Sequence, residues 1–255
     1  MRKNIDGLPV YAIVVRGNEA SEYYFNKIKP VWKSIGIDLR LFDATTPDTL
    51  PTQPLKFARN KTDKYTTIDP AGKEFTATEK AVWYSHYRLW WKSATENKQL
   101  VVVEHDCAPF DLSKLWYDEK DHFKSFDIGA LGCYVIKPSF ARMVLSHLKS
   151  TSISVGPLGY IYECARIENK KTPGKWSFID ASHEEWDPGC TQIIHTKFGT
   201  TIDHYAGTIA EGVKNVDKPW PYYVVIDSLP TPLTIDVMSK NKKLTQKLKR
   251  RLQLS

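Results

Sequence analysis

The sequence predicts an α/β domain with a mostly parallel sheet flanked by helices, and three observations carry that prediction. Leu8 to Val15 (LPVYAIVV) is a continuous apolar run, the pattern of a strand buried on both faces of a parallel sheet. A helical stretch and a second strand follow it within about 35 residues, which makes a βαβ opening. Leu100-Val101-Val102-Val103 is then a short, wholly apolar strand that runs out into Glu104-His105-Asp106.

The elements follow in order. Arg16-Gly17-Asn18 reads as a turn, and a helix runs from about Glu19 to Ser34 and stops at Gly36, a favoured helix-terminating residue. Ile37 to Phe42 alternates apolar and polar side chains and reads as the second strand, closed by Asp43-Ala44-Thr45-Thr46-Pro47. Residues 47–75 lack periodicity and are rich in Thr, Pro, Lys and Asp; a loop this long in a compact domain is uncommon and often functional. Thr76 with Glu79 is a capping-box signature. The helix it opens extends to about Asn97 and carries Trp83, Tyr84, Ser85, His86, Tyr87, Trp90 and Trp91. Ile128 to Ile136 reads as a strand, and Pro138 to about Leu148 as a helix with proline in its first turn. From Ser150 to Ile235 the mixed pattern predicts short elements and long loops. There is no internal repeat and no low-complexity segment.

A chain of 255 residues with 42% hydrophobic residues suits one large domain with a sizeable core. No run approaches the ~20 apolar residues of a membrane span, and the opening Met1-Arg2-Lys3-Asn4-Ile5-Asp6-Gly7 leaves no room for a signal peptide. Cys107, Cys133, Cys164 and Cys190 are widely spaced with no CxxC pair, which argues against zinc and for reduced thiols in a cytoplasm. The net charge of +7 equals the seven basic residues Lys240, Lys242, Lys243, Lys247, Lys249, Arg250 and Arg251, so the rest of the chain is formally neutral. Leu244, Leu248 and Leu252 recur at helical spacing in the same segment. Residues 1–238 are therefore expected to form the folded domain and 239–255 a basic amphipathic helix. That helix either docks on the domain through its leucines, meets a nucleic-acid backbone, or meets an anionic membrane. The absence of large aromatics from it disfavours the membrane.

The chemistry is expected at the strand that ends in Glu104-His105-Asp106, because ligands of open α/β sheets bind beyond the carboxyl ends of the strands. Two carboxylates with one residue between them can face a divalent cation together with a diphosphate, and hard oxygen ligands suit Mg²⁺ or Mn²⁺.

The order and spacing of several segments resemble glycosyltransferase family 25. Val14-Val15-Arg16, the following helix and Phe42-Asp43-Ala44-Thr45 resemble the family's opening; Ser85-His86 with Trp90 resembles its "SH…W" helix. Glu104-His105-Asp106 falls at its Glu-Asp-Asp triplet, and Ala130 to Pro138, with Ala141, resembles its next strand and helix entry. The resemblance covers roughly residues 8 to 150. It departs at His105, which stands for the middle aspartate, and at Gly156-Pro157-Leu158, which lacks the acid of the family's "P-x-D".

This resemblance implies a GT-A (Rossmann-like) fold, with a donor half at about 1–150 and an acceptor half at about 150–238. It implies an inverting sugar transfer from a UDP-sugar with Mn²⁺ or Mg²⁺. Asp106 would be the principal metal ligand, and Glu104 would contact the ribose or the metal's water shell. Val15, Arg16 and Asp43 would lie near the nucleotide. Ser85 and His86 would lie beneath the donor pocket, or serve helix packing alone. GT-A enzymes often add a late histidine to the metal shell, for which His195 and His204 are candidates, and His105 would be a spectator at the strand end. In Ser182 to Gly189, Trp186 could stack on a sugar or base while Asp187, or else Glu185, takes the acceptor's proton; the alternative is a charged surface loop.

Two acceptors fit a cytoplasmic enzyme of this kind. One is hydroxymethylcytosine in phage DNA, with duplex DNA as partner in a host bacterium's cytoplasm; the loop residues Lys56, Arg59, Lys61, Lys64 and Tyr65 and the basic tail suit it. The other is lipo-oligosaccharide at the inner membrane. A reading from another class is a non-catalytic binding protein on a degenerate transferase scaffold. Nothing in the sequence calls for an obligate protein partner.

Overall fold

The computed structural model describes residues 1–52, 55–58, 74–109, 111–127, 132–179, 188–195 and 223–226, with 191–195 and 223–226 described as backbone. The chain begins with strand β1 (Arg2–Asn4), followed by β2 (Val10–Val14), helix α1 (Glu19–Ser34) and β3 (Leu39–Asp43). Helix α2 (Ala77–Glu96), β4 (Leu100–Glu104), β5 (Cys107–Pro109) and β6 (Trp116–Asp118) come next. Then follow β7 (Phe123–Ser125), β8 (Cys133–Ile136), α3 (Pro138–Leu148) and α4 (Pro157–Lys171). Strands β9 (Phe178–Ile179), β10 (Cys190–His195) and β11 (Tyr223–Ile226) complete the described elements.

The main sheet has six strands in the order β3-β2-β4-β8-β7-β9. Strands β3, β2 and β4 are parallel neighbours; β8 runs against both β4 and β7, and β9 is parallel to β7. All strands but β8 therefore share one direction, in keeping with the expected α/β class. Strands β1 and β6 pair as a separate ribbon, and β5, β10 and β11 form a third small sheet.

Strand alternation divides the core into two layers. Val10, Ala12, Val14, Val101 and Val103 pack on Tyr24, Phe25, Ile28, Val31 and Trp32 of α1. Ile13, Leu100, Val102, Phe123, Tyr134 and Ile136 face the other way, onto residues of α2, α3 and α4 such as Trp83, Trp90, Phe140 and Ile161. Because both faces are covered, every residue of β4 is buried.

Local signals fix the helix ends. The Asn18 side chain accepts from Ser21 N at 2.9 Å, and Glu19 and Glu22 occupy the first turn of α1, where a negative charge meets the helix dipole. Gly36 follows the helix at φ 82°, a conformation that favours glycine. The reciprocal Thr76–Glu79 capping box opens α2, and Asn97 closes it in the left-handed region at φ 52°.

Three expectations need correction. The strand expected over Ile37–Phe42 lies at Leu39–Asp43, because Ile37 N still bonds Trp32 O at 3.0 Å and wraps the end of α1. The strand expected over Ile128–Ile136 is a strand from Cys133, residues 128–131 lying outside the described residues; the hairpin partner β7 was not expected. It is short and carries a fully buried Lys124, whose ammonium bonds Trp116 O at 2.7 Å and sits 3.4 Å from the centre of the Trp116 ring. Finally, the stretch expected to hold only short elements contains the 15-residue helix α4, with Pro157 at its start and Pro157, Tyr160, Ile161, Cys164 and Ala165 on its buried face.

Among the described residues, no helix is long and apolar enough to cross a membrane. The tail 239–255, most of the loop 47–75 and the segment 182–187 lie outside the described residues.

Candidate active site

The carboxyl ends of β2, β3 and β4 form one edge. Val14 pairs with Asp43 and Ile13 with Glu104, so the Val15-Arg16 segment, Asp43 and Glu104 stand side by side on adjacent parallel strands. The chain reverses there: β3 lies on one side of β2 and β4 on the other, the topological switch point at which open α/β sheets bind ligands.

At the β2 end, half-buried Val15 donates its N–H to Ser21 Oγ at 2.9 Å, and Gly17 turns the chain at φ 76° into α1. Arg16 and Asp43, both exposed, form an ion pair across the edge. Arg88 of α2 braces the same corner. Its guanidinium lies 4.7 Å from the Phe42 ring centre and donates to Asp43 O at 2.8 Å and Thr45 Oγ1 at 3.4 Å. The buried Ser85 hydroxyl accepts from Thr45 N at 2.9 Å and donates to Ala81 O at 2.9 Å, so Ser85 ties the end of β3 to α2.

Glu104 ends β4 on the face shared by Leu100 and Val102, the face that looks at α2. Its N–H donates to Gly132 O at 2.7 Å; a Cβ added at Gly132 would lie 2.6 Å from Asp127 Oδ2, so that carboxylate would have to shift. His105 has the opposite parity, is buried at 2% exposure, and its ring stands 6.1 Å from Tyr24 of α1. Asp106 follows in the turn, 9% exposed. Burial, and then the charge of Glu104, push the Asp106 carboxyl well above the usual carboxylate range. Its Oδ1 is buried and meets no hydrogen-bond donor. A buried carboxylate oxygen without a donor is costly, and a bound cation removes that cost. The donor set of two carboxylates therefore fits a hard divalent ion. Among the described residues, no group of three or more His, Cys, Asp or Glu is arranged to hold a metal.

Beneath Glu104, His86 of α2 is buried, with Nε2 3.7 Å from Glu104 Oε1 and Nδ1 3.0 Å from the Tyr134 hydroxyl. Trp90, one turn along α2, donates Nε1–H to the same hydroxyl at 2.9 Å. In the sequence, Tyr134 and Trp90 stand out only as parts of the resembling segments. The i, i+4 spacing puts His86 and Trp90 on one face of α2, and the Tyr134 hydroxyl that both meet comes from β8.

Of the remaining expected residues, only the His195 backbone is described. His195 ends β10, the strand whose Gln192 pairs with Cys107, next in sequence to Asp106; its side chain lies outside the described residues. His204, Glu185 and Asp187 lie outside them altogether. Gly156-Pro157-Leu158, where the resemblance lapses, is the start of α4. The cysteines, though far apart in sequence, partly converge: Cys107, Cys133 and Cys190 are buried and hydrogen-bond to one another, and all four are free thiols.

Residues 25–112 match glycosyltransferase family 25. That family is described as an LPS biosynthesis protein, and the matching segment runs from α1 to just past β5. It includes Asp43, Ser85, His86, Glu104 and Asp106; Val15 and Arg16 precede it. The match spans the switch-point edge, which supports a transferase. Among solved structures, a glycosyltransferase involved in glycosylation of the major capsid of PBCV-1 is similar at 11% identity. That likeness covers 69% of this chain and 85% of the other, with a TM-score of 0.37. No curated protein matches the chain.

Proposed function

We propose that the protein is a metal-dependent, inverting glycosyltransferase of GT-A type that moves a sugar from a UDP-sugar to a hydroxyl acceptor. The observation that carries this reading is Asp106: a buried carboxylate oxygen without a donor, beside a second carboxylate, at the switch point of the sheet. In this reading Glu104 and Asp106 hold Mn²⁺ or Mg²⁺, with His195 or His204 as the further ligand, and the ion supplies positive charge to the departing diphosphate. Val15, Arg16 and Asp43 line the nucleotide's side of the edge. The ion pair between Arg16 and Asp43 is exposed, so a phosphate can compete for the guanidinium. Asp187, or Glu185, takes the proton of the acceptor hydroxyl as its oxygen attacks the anomeric carbon and the bond to UDP breaks.

For the acceptor we propose hydroxymethylcytosine in duplex DNA. The support is the basic segment 239–255 and the cations Lys56, Arg59, Lys61 and Lys64 of the long loop, which suit a phosphate backbone. The family's description as LPS biosynthesis favours a second reading, transfer to a lipo-oligosaccharide by an enzyme held at a membrane by its tail.

The test is sugar transfer read by mass spectrometry. Duplexes with hydroxymethylcytosine or cytosine, and lipo-oligosaccharide, are offered with a panel of UDP-sugars and Mn²⁺. The expected product is the hydroxymethylated strand heavier by one sugar, absent without metal and absent with Asp106→Asn. Transfer to oligosaccharide alone selects the second reading. Undiminished turnover by folded Asp106→Asn refutes the metal assignment.

A further inference from the structure

We propose that His86 is a positioning residue: Trp90 and Tyr134 fix its imidazole so that Nε2–H faces Glu104 and holds that carboxylate toward the metal-nucleotide site. The inference rests on the reading of Glu104 and Asp106 given above and assigns three residues to its support.

The direction of each hydrogen follows from what each group can donate. Indole Nε1 only donates, so the Tyr134 oxygen accepts from Trp90 at 2.9 Å. Tyr134 has one hydrogen of its own and is 0% exposed. Its other neighbour is His86 Nδ1 at 3.0 Å. Were Nδ1 to carry hydrogen, the phenol O–H would be buried with no acceptor, a cost of about 1–3 kcal/mol. Nδ1 therefore accepts, and the imidazole's N–H is at Nε2. That nitrogen stands 3.7 Å from Glu104 Oε1. The separation is longer than a formed hydrogen bond. Contacts of this kind are often long in the free enzyme and tighten in the complex.

Packing alone does not account for the arrangement. His86 and Tyr134 stack with ring centres 5.8 Å apart at 30°, against the apolar layer between the sheet and α2. Apolar residues of similar size would fill it without the cost of desolvating three polar groups. At its end the chain of polar groups meets the carboxylate at the switch point, His86 Nε2 standing 3.7 Å from Glu104 Oε1. The parity of β4 makes this possible: Val102 pairs with Tyr134, and Glu104 projects on the same face.

The test is binding of Mn²⁺ and UDP to the full-length protein, followed by Mn²⁺ electron paramagnetic resonance, in wild type, Asp106→Asn, Tyr134→Phe, His86→Phe and His86→Gln. His86→Phe should weaken binding roughly 10–100-fold, the usual effect of losing a group that orients a ligand. Tyr134→Phe, which keeps the ring, should weaken it less, and His86→Gln, which keeps an N–H, should restore part of the loss. In a Glu104→Gln background His86→Phe should cost nothing further, an outcome that a merely structural role would not give. If Asp106→Asn abolishes binding while folded His86→Phe and Tyr134→Phe bind as wild type, the positioning role is overturned and the metal site stands. If wild type shows no Mn²⁺-dependent UDP binding, the underlying site reading falls, and this inference with it.

Discussion

Asp106 carries an energetic cost in the ion-free protein, and that cost has a sign. Its carboxyl is raised in the folded state, first by burial and then by Glu104, so the native state holds a proton more tightly than the unfolded chain. The penalty is absent below the unfolded value of about 4. It grows as pH rises toward the folded value and is constant above that. Metal-free Asp106→Asn should therefore melt higher than wild type at neutral pH, by a few degrees for ~1–3 kcal/mol. The gap should close on acidification below ~4. Mn²⁺ should raise the wild-type midpoint and leave that of the variant unmoved. Differential scanning calorimetry across pH checks this; a variant less stable at every pH would mean that Asp106 is satisfied without a cation. The position of Glu104-His105-Asp106 at a strand end was legible because a Val-rich apolar run leads into it. The partners of His86 were not legible, since Trp90 and Tyr134 meet only when β8 pairs with β4.

Among the elements, α2 does most to position the edge, contributing Ser85, His86, Arg88 and Trp90 from one 20-residue helix. Its start depends on the Thr76–Glu79 box, with Glu79 N to Thr76 Oγ1 at 3.2 Å and Thr76 N to Glu79 Oε2 at 2.6 Å. Thr76→Ala should cost ~1 kcal/mol, lowering the thermal midpoint by ~2–4 °C with kcat unchanged. A loss of activity larger than the loss of folded protein would show that the box also tunes the site. Helix α2 was legible from end to end because its cap and length are local properties. Helix α4 was not, because Pro157, Gly159 and clustered aromatics resemble loop composition, although its buried positions keep helical spacing. Strand β7 was hidden by Lys124, a charge that only tertiary contacts with Trp116 make tolerable.

At the scale of the molecule, charge is unevenly placed: the seven cations of 239–255 equal the whole net charge of +7. On the DNA reading, deletion of 239–255 should weaken duplex binding and flatten its salt dependence by ~0.9 in log–log slope for each phosphate that the tail neutralises. Fluorescence anisotropy at several salt concentrations measures both, and an unchanged slope would give the tail another task. The α/β class and sheet edge were readable from apolar runs, whereas the sheet order depends on pairings between distant segments. The edge also has a consequence for how this site can vary. Leu100, Val102 and Glu104 look one way and Val101, Val103 and His105 the other, so β4 serves as a phase reference for the chemistry at its end. Two sequences sharing no residue in the first four positions of this five-residue strand can present the same carboxylate to the same helix. A sequence identical but for one deleted residue would turn that carboxylate into the layer beneath α1.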